Sequence, residues 1–347
     1  MEDSQDLTLQ RLFLIAGGHT AFQLLWAGVK LGVFDALSRE PGLTLANIAT
    51  RIELEMYPCR VLVVGLTALG LVKKKDDRYS NAALTEQMLV EGKSGSVAPI
   101  LGWQALIVYP GLQDFVSALK QGTNVGLQRF PGNGSTLYER LANQPALEQV
   151  FHDAMSALSV QANRHLLEAY DFGRFAHIVD AGGGDGTNAI ALAKRYPGLK
   201  VTVYDSEENV CRIASQNIEA HGLRDRVFTQ IGNFLTDPFP AGIDAILFCH
   251  IFTIWSMERN LEILRKCWRT LPKGGAVIVF NMMSADDDTG PLSTALGSPY
   301  FLAIATGEGM LHRWTDYERA MREAGFSRTE RAENLPLNHG VLVAFKD

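Results

Sequence analysis

Apolar and polar positions follow two different rhythms along this chain, and the rhythm changes near residue 170. Before that point apolar residues recur at steps of three and four. In HTAFQLLWAGVKLGVFDAL, residues 19–37, Phe22, Leu25, Trp26, Val29, Val33 and Phe34 share one broad face, which predicts an amphipathic helical segment ended by Pro41-Gly42. Thr44 is placed to cap a helix over TLANIATRI, and Pro58 lies in the first turn of another, YPCRVLVVGLTALGLV. The polar run KKKDDRYS after Val72 suits a tight β-hairpin. Helices joined by a turn and followed by a hairpin form a winged-helix pattern. Further helices are predicted from 95 to about 170, including ALEQVFHDAMSALSVQANRHLLEAY.

From AHIVDAGGG onward, short apolar runs alternate with helical ones. TNAIALAKRY, KVTVYD, a long helix ending at Gly222, RVFTQIG, IDAILFCH, a helix through NLEILRKCWRTL, and AVIVFNMM continue the pattern. This alternation predicts a parallel sheet covered on both faces, an α/β Rossmann-like domain. The expected organisation is a winged-helix-like dimerisation domain over 1–95, a helical linker and substrate-pocket region over 96–170, and the Rossmann-like domain over 171–347.

The length of 347 residues suits such a multi-domain chain, and 47% hydrophobic residues at a mean hydropathy of +0.02 indicate a large core. The formal charge of −6 opposes nucleic-acid or anionic-membrane partners. No apolar run approaches the roughly 20 residues that cross a bilayer. The start, MEDSQDLTLQ, is acidic rather than signal-like, so a cytoplasmic location is expected. Cys59, Cys211, Cys249 and Cys267 share no CxxC spacing and the histidines form no HExxH, so reduced thiols and no metal are expected. A winged helix can read DNA, but its second helix carries only Arg60 as a cation, and Asp76-Asp77 offset Lys73 to Lys75. Burial of these apolar helices against a second copy, as a homodimer, is the better expectation.

The strongest chemical signal is VDAGGGDGT, residues 179–187, where a buried strand turns into a helix. A dinucleotide fingerprint beginning at Gly182 would require glycine where Thr187 stands, so that pattern fails. Asp180 followed by Gly182, Gly184 and Gly186 instead suits close backbone approach to an adenosyl ligand without a pyrophosphate. Asp205, ending KVTVYD, is placed to accept both hydroxyls of a ribose. Asn233 and Phe234, after the third strand, offer an amide for an adenine edge and a ring for its face.

Taken together, these residues resemble the S-adenosylmethionine-dependent small-molecule methyltransferases of the plant caffeate type and their bacterial natural-product relatives. The resemblance rests on LGVFDAL, LTALGLV, DFGRFAHIVDAGGGDGT, VYD, GNFLTDPFP, IDAILFCHIFTIWS and LRKCWRTLPKGGAVIV, and it covers nearly the whole chain. It implies S-adenosylmethionine as cofactor, bound by Asp180, Gly182, Gly184, Asp205, Asn233, Phe234 and Cys249, and an intertwined homodimer. The family usually has aspartate at position 233; asparagine keeps the acceptor oxygen without the charge.

The departures lie in the catalytic segment. Aligned on Trp255, the family's general-base histidine falls on Thr253 and its following aspartate on Ile254; Asn281 stands where an acidic residue is usual. Threonine has no useful basicity. His250 is then the leading candidate base for a phenolic proton, with His312 second. The resemblance further places Trp103, Phe151, Met155, Phe252, Trp255, Tyr300 and Phe301 as walls for a flat aromatic substrate, with Arg164 available for a substrate carboxylate. The implied activity is methylation of a phenol oxygen or the ring carbon ortho to it, on a phenolic or aromatic amino-acid metabolite of secondary metabolism. Two alternatives stay open: a non-methylating enzyme on the same scaffold, such as a hydroxylase or pericyclase, and a DNA-binding regulator.

Overall fold

The computed structural model describes residues 7–93 and 95–347, with the side chain of Asn163 left aside. The chain divides after Ala105 into two compact units, so the segment over 96–170 is shared between them rather than standing apart.

The first unit holds helices Leu9–Ala16, Gly18–Lys30, Val33–Arg39, Leu45–Arg51 and Met56–Ala68, then strands β1 (Val72–Lys75) and β2 (Arg78–Asn81) paired as an antiparallel hairpin. The predicted continuous helix over 19–37 is broken, because Gly32 adopts a left-handed φ of 72° and starts the next helix at Val33. Thr44 caps as expected, its hydroxyl accepting from the Asn47 amide at 3.3 Å. Val33, Phe34, Leu37, Ile48, Val63 and Leu66 form the core, while Leu9, Leu12, Phe13, Leu14 and Ile15 leave an apolar helix face exposed. Among the described residues no single helix is long and apolar enough to cross a membrane.

The second unit is built on a seven-stranded sheet of β3 (His177–Ala181), β4 (Lys200–Asp205), β5 (Val227–Ile231), β6 (Ala245–Cys249), β7 (Ala276–Met282), β8 (Arg328–Ala332) and β9 (His339–Phe345), in the order β5-β4-β3-β6-β7-β9-β8. The pairs β5-β4, β4-β3, β3-β6 and β6-β7 are parallel, and β9 runs antiparallel to both β7 and β8. The all-parallel expectation is therefore corrected to a mixed sheet. A short β8–β9 connection can join only antiparallel neighbours, and β9 then inserts beside β7. Strands β6, β7 and β9 are apolar and buried nearly throughout, as strands covered on both faces must be. One face carries Ile178, Leu247, Ile278 and Val343 under helices Pro145–Ala169, Thr187–Arg195 and Glu208–Ala220; the other carries Val179, Ile246, Val277 and Leu342 under Met257–Thr270 and Trp314–Ala324.

Candidate active site

Parallel strands end at one edge of the sheet, and the turns leaving β3, β4, β5 and β6 gather most of the expected site residues there. The turn after β3 depends on backbone freedom. Gly182 has φ 71°, its N–H donates to the Tyr204 carbonyl at 2.8 Å, and a Cβ added to it would stand 2.5 Å from Ile251 Cδ1 and 3.7 Å from Phe234. Gly182 and Phe234 are thus neighbours. Gly184, at φ 57°, has open space where a side chain would project, and its N–H donates to Asp205 Oδ2 at 3.1 Å. A glycine cradle with a carboxylate held across it leaves room for a ligand to approach the main chain.

Asp180 is completely buried, and neither of its carboxylate oxygens has a hydrogen-bond partner. Burial, then the charges of Asp205 and Asp185, push its carboxyl up to about 7. Asp205 is also raised, chiefly by burial, against the opposing N–H donors of Glu207 and Gly184 and the influence of His152. Cys249 lies on the same face of the sheet, and its thiol is pushed well up by burial and by Asp180. Asn233 turns its side-chain oxygen back onto the Leu235 amide at 2.9 Å, which commits one of that oxygen's two lone pairs. Phe234 packs edge-on against Phe248 at 5.8 Å.

His250 follows β6 in a left-handed conformation, φ 58°, that a non-glycine residue adopts only when held. Its amide donates to the Phe280 carbonyl at 2.9 Å and its carbonyl accepts from the Thr253 hydroxyl at 3.2 Å. The imidazole Nε2 is buried with no hydrogen-bond partner. Burial, and then His339, push the ring down to about 3, so it is neutral at pH 7. Thr253, at the expected base position, is 1% exposed and uses its hydroxyl on His250.

His312 is fixed differently. Its Nε2 donates to the Trp255 carbonyl at 3.0 Å, so the buried nitrogen already carries a hydrogen and cannot accept a proton there. The ring thereby braces the segment 253–255, while its Nδ1 keeps the proton-accepting capacity expected of a second base. Asn260 Nδ2 braces the same segment, donating to the Phe252 and Trp255 carbonyls at 2.7 and 3.3 Å. Asn281 is buried and donates to the Tyr317 hydroxyl at 3.2 Å.

The residues expected to contact substrate are dispersed. Phe151 and Tyr300 converge on Tyr138: the Tyr138 ring meets Phe151 edge-on at 5.7 Å and its hydroxyl bonds Tyr300, while burial pushes the Tyr138 phenol up to about 12. Met155 lies one turn beyond Phe151 on helix Pro145–Ala169, and Trp255 carries a buried indole N–H with no partner beneath Arg259 at 5.0 Å. Trp103 belongs to the first unit, at the end of helix Ala98–Trp103. Two expectations are corrected. Phe252 is 0% exposed and packs on Phe248 and Tyr317, so it is core. Arg164 points outward, its side chain 78% exposed and paired with Glu168 at 2.9 Å, as a helical i,i+4 pair places it. The four cysteines are free, and among the described residues no group of ligands suits a metal.

Sequence reasoning missed Tyr138 and His339. Neither sits in a motif; each reaches its partner only through the folded chain.

Comparison with known proteins places this geometry. A family model of the O-methyltransferase domain matches residues 111–327, and one of the O-methyltransferase dimerisation domain matches residues 13–91. The chain is 36% identical over 343 residues to an L-tyrosine C(3)-methyltransferase of Streptomyces lavendulae, covering 98% of this chain and 93% of that one. It is 30% identical to a 3-hydroxy-5-methyl-1-naphthoate 3-O-methyltransferase of Streptomyces sahachiroi, covering 96% and 94%. Among solved structures, the S-adenosylmethionine-dependent methyltransferase SibL in its apo form superposes with a TM-score of 0.84 at 38% identity, covering 98% of this chain and 99% of that one. Human N-acetylserotonin methyltransferase in complex with its methyl donor gives 0.87 at 25% identity, covering 100% and 99%.

Proposed function

The chain belongs to the O-methyltransferase family and is an S-adenosylmethionine-dependent methyltransferase, and we propose that it methylates the ring carbon ortho to a phenolic hydroxyl on a tyrosine-like aromatic amino acid. The single observation carrying the carbon assignment is the replacement of the expected base by a buried threonine whose hydroxyl is spent on the carbonyl of His250. The 36% identity to a relative named for C(3) methylation of L-tyrosine supports the same reading.

The donor fits the residues present. The open space at Gly184 and the unpartnered carboxylate of Asp180 sit beside Asp205, Phe234 and Asn233, which would hold an adenosyl group. When bound, S-adenosylmethionine supplies an electrophilic methyl on a positively charged sulfur. The protein's part is then to fix the acceptor and take its proton. His250 is the base in this reading. Its neutral imidazole accepts the phenolic hydrogen as negative charge spreads to the ortho carbon. Once methylated, that carbon sheds its own hydrogen as a proton and the oxygen regains one, so the product is again a phenol and one proton is released in all. Phe151, Met155, Trp255 and Tyr300 would contact the aromatic ring. Proximity supplies much of the remaining rate. The enzyme acts as a cytoplasmic homodimer in secondary metabolism, paired through the unit that matches the dimerisation domain.

The test is incubation with methyl-labelled donor and L-tyrosine, beside a panel of simple phenols, with the label located by NMR. Label on the ortho carbon is expected. Label on oxygen alone overturns the carbon assignment, and donor binding without any label overturns the acceptor class. His250→Ala should abolish turnover; full activity would remove His250 as the base.

A further inference from the structure

We propose that His339 is the proton-accepting partner of His250, so that the base of this enzyme is a pair of buried histidines. The inference rests on the reading of His250 as base and assigns a residue outside every motif of the sequence.

Substituting a methyl group for hydrogen on an aromatic acceptor releases one proton per turnover. A buried imidazole that accepts this proton at one nitrogen must lose one before it can act again. His339 is placed to receive it. Its ring lies 5.1 Å from that of His250, centroid to centroid, with the planes at 89°. Both rings rest on Phe280, His250 edge-on at 5.4 Å and His339 stacked at 5.0 Å.

The sheet builds the pair without any loop having to move. His250 is tied to β7 by its amide bond to the Phe280 carbonyl, and His339 opens β9 opposite Met282 of the same strand. The tautomer of His339 is also set. Its Nδ1 lies 3.1 Å from the Pro336 carbonyl, which can only accept, so Nδ1 carries the hydrogen and the neutral ring offers Nε2 as an acceptor. The Nε2 of His250 is buried without a hydrogen-bond partner, so no contact within the chain competes for it.

The groups acting on the pair are histidines as well. His250 feels His339, and His339 feels His165 on helix Pro145–Ala169, a helix that packs against β9. His165 is half-buried. The accepted proton would pass from the nitrogen of His250 to Nε2 of His339, which holds it as an imidazolium with its Nδ1 hydrogen still on the Pro336 carbonyl, and would return through His250 to solvent when the product leaves. No bond to carbon or sulfur is involved in this transfer, and water is the final proton acceptor.

A plain packing role for His339 would be served equally by phenylalanine, which stacks on Phe280 as well. The experiment therefore compares wild type with His339→Phe and His339→Gln, using methyl-labelled donor and L-tyrosine. Thermal unfolding and donor binding by calorimetry are measured alongside. His339→Phe should bind donor normally and lose about a hundredfold in kcat with KM little changed. The solvent isotope effect on kcat should rise. His339→Gln keeps a polar group but no relay, so it should fall equally. Nitrogen NMR of 15N-histidine enzyme reads the Nδ1–H tautomer of His339 without any acceptor. Undiminished kcat in His339→Phe, a rise in KM alone, or the opposite tautomer would overturn the pairing. Loss of activity in His250→Ala with none in His339→Phe removes the pair but keeps His250 as base; full activity in both removes the base reading itself.

Discussion

The Thr253 hydroxyl donates to the carbonyl oxygen of His250 across 3.2 Å, so the residue standing where a base is usual holds the histidine that remains in its left-handed turn. Replacement and retained base are parts of one small structure. Thr253→Val should therefore cost about 1 kcal/mol of stability, for an isosteric loss of one hydrogen bond, and should lower turnover. Thr253→Ser should retain both. Chemical denaturation and label transfer measure the two effects, and a Thr253→Val enzyme unchanged in both would show the bond to be idle.

Restoring histidine at position 253 should not create an ordinary O-methylating enzyme. The site is 1% exposed, and a larger ring must displace packed neighbours at about 1–3 kcal/mol. Thr253→His is expected to unfold earlier on heating and to form no new O-methylated product. A stable variant that labels oxygen would refute this.

Gly309 packs onto the same segment from the other side. A Cβ at Gly309 would lie 2.3 Å from the Thr253 carbonyl oxygen and 2.4 Å from that of Ile254, both main chain. Gly309→Ala must shift residues 253–255, and it should lower the unfolding midpoint and reduce kcat together. Unchanged kcat at lowered stability would separate that segment from catalysis.

Asp180 should leave a pH signature. Its carboxyl is raised in the folded protein to about 7, chiefly by burial, above the unfolded value of about 3.9. The folded state then holds the proton more tightly, and this contribution is fully present below pH 3.9 and lost as pH rises toward 7. The loss amounts to about 1.4 kcal/mol per pH unit. Asp180→Asn removes it, so the stability of the variant relative to wild type should climb across that window in the absence of donor. Parallel stability curves would refute the assignment.

Asp205 accepts the Gly184 amide and faces the glycine cradle. Asp205→Asn loses an ionised acceptor worth about 1.5–3 kcal/mol, so donor affinity should fall roughly 10- to 100-fold by calorimetry. Unaltered affinity would place the adenosyl group elsewhere.

Much of this was legible in the residues themselves. The missing base at Thr253 came from the family resemblance, while the glycine run after an apolar strand and Asp205 at a strand end are local features. Local spacing reports them because a turn, a cap or a strand end is decided by a few neighbouring residues. Helix and strand alternation likewise fixed the architecture, since each segment's periodicity records which of its faces is buried.

Other decisions waited for the fold. Phe252 and Arg164 carried plausible chemistry, yet one is sealed in the core and the other turned to solvent, and spacing does not separate those fates. His312, the second candidate by sequence, is tied through Nε2 to the Trp255 carbonyl, a partner that no spacing announces. The antiparallel β9 was invisible in the alternation, and it is β9 that sets His339 against His250. The sequence by itself determined the kind of site, and its resemblance to the family showed the base it lacks. Only the tertiary structure decided what surrounds the histidine left behind, because strand order, not spacing along the chain, chooses which distant residues meet.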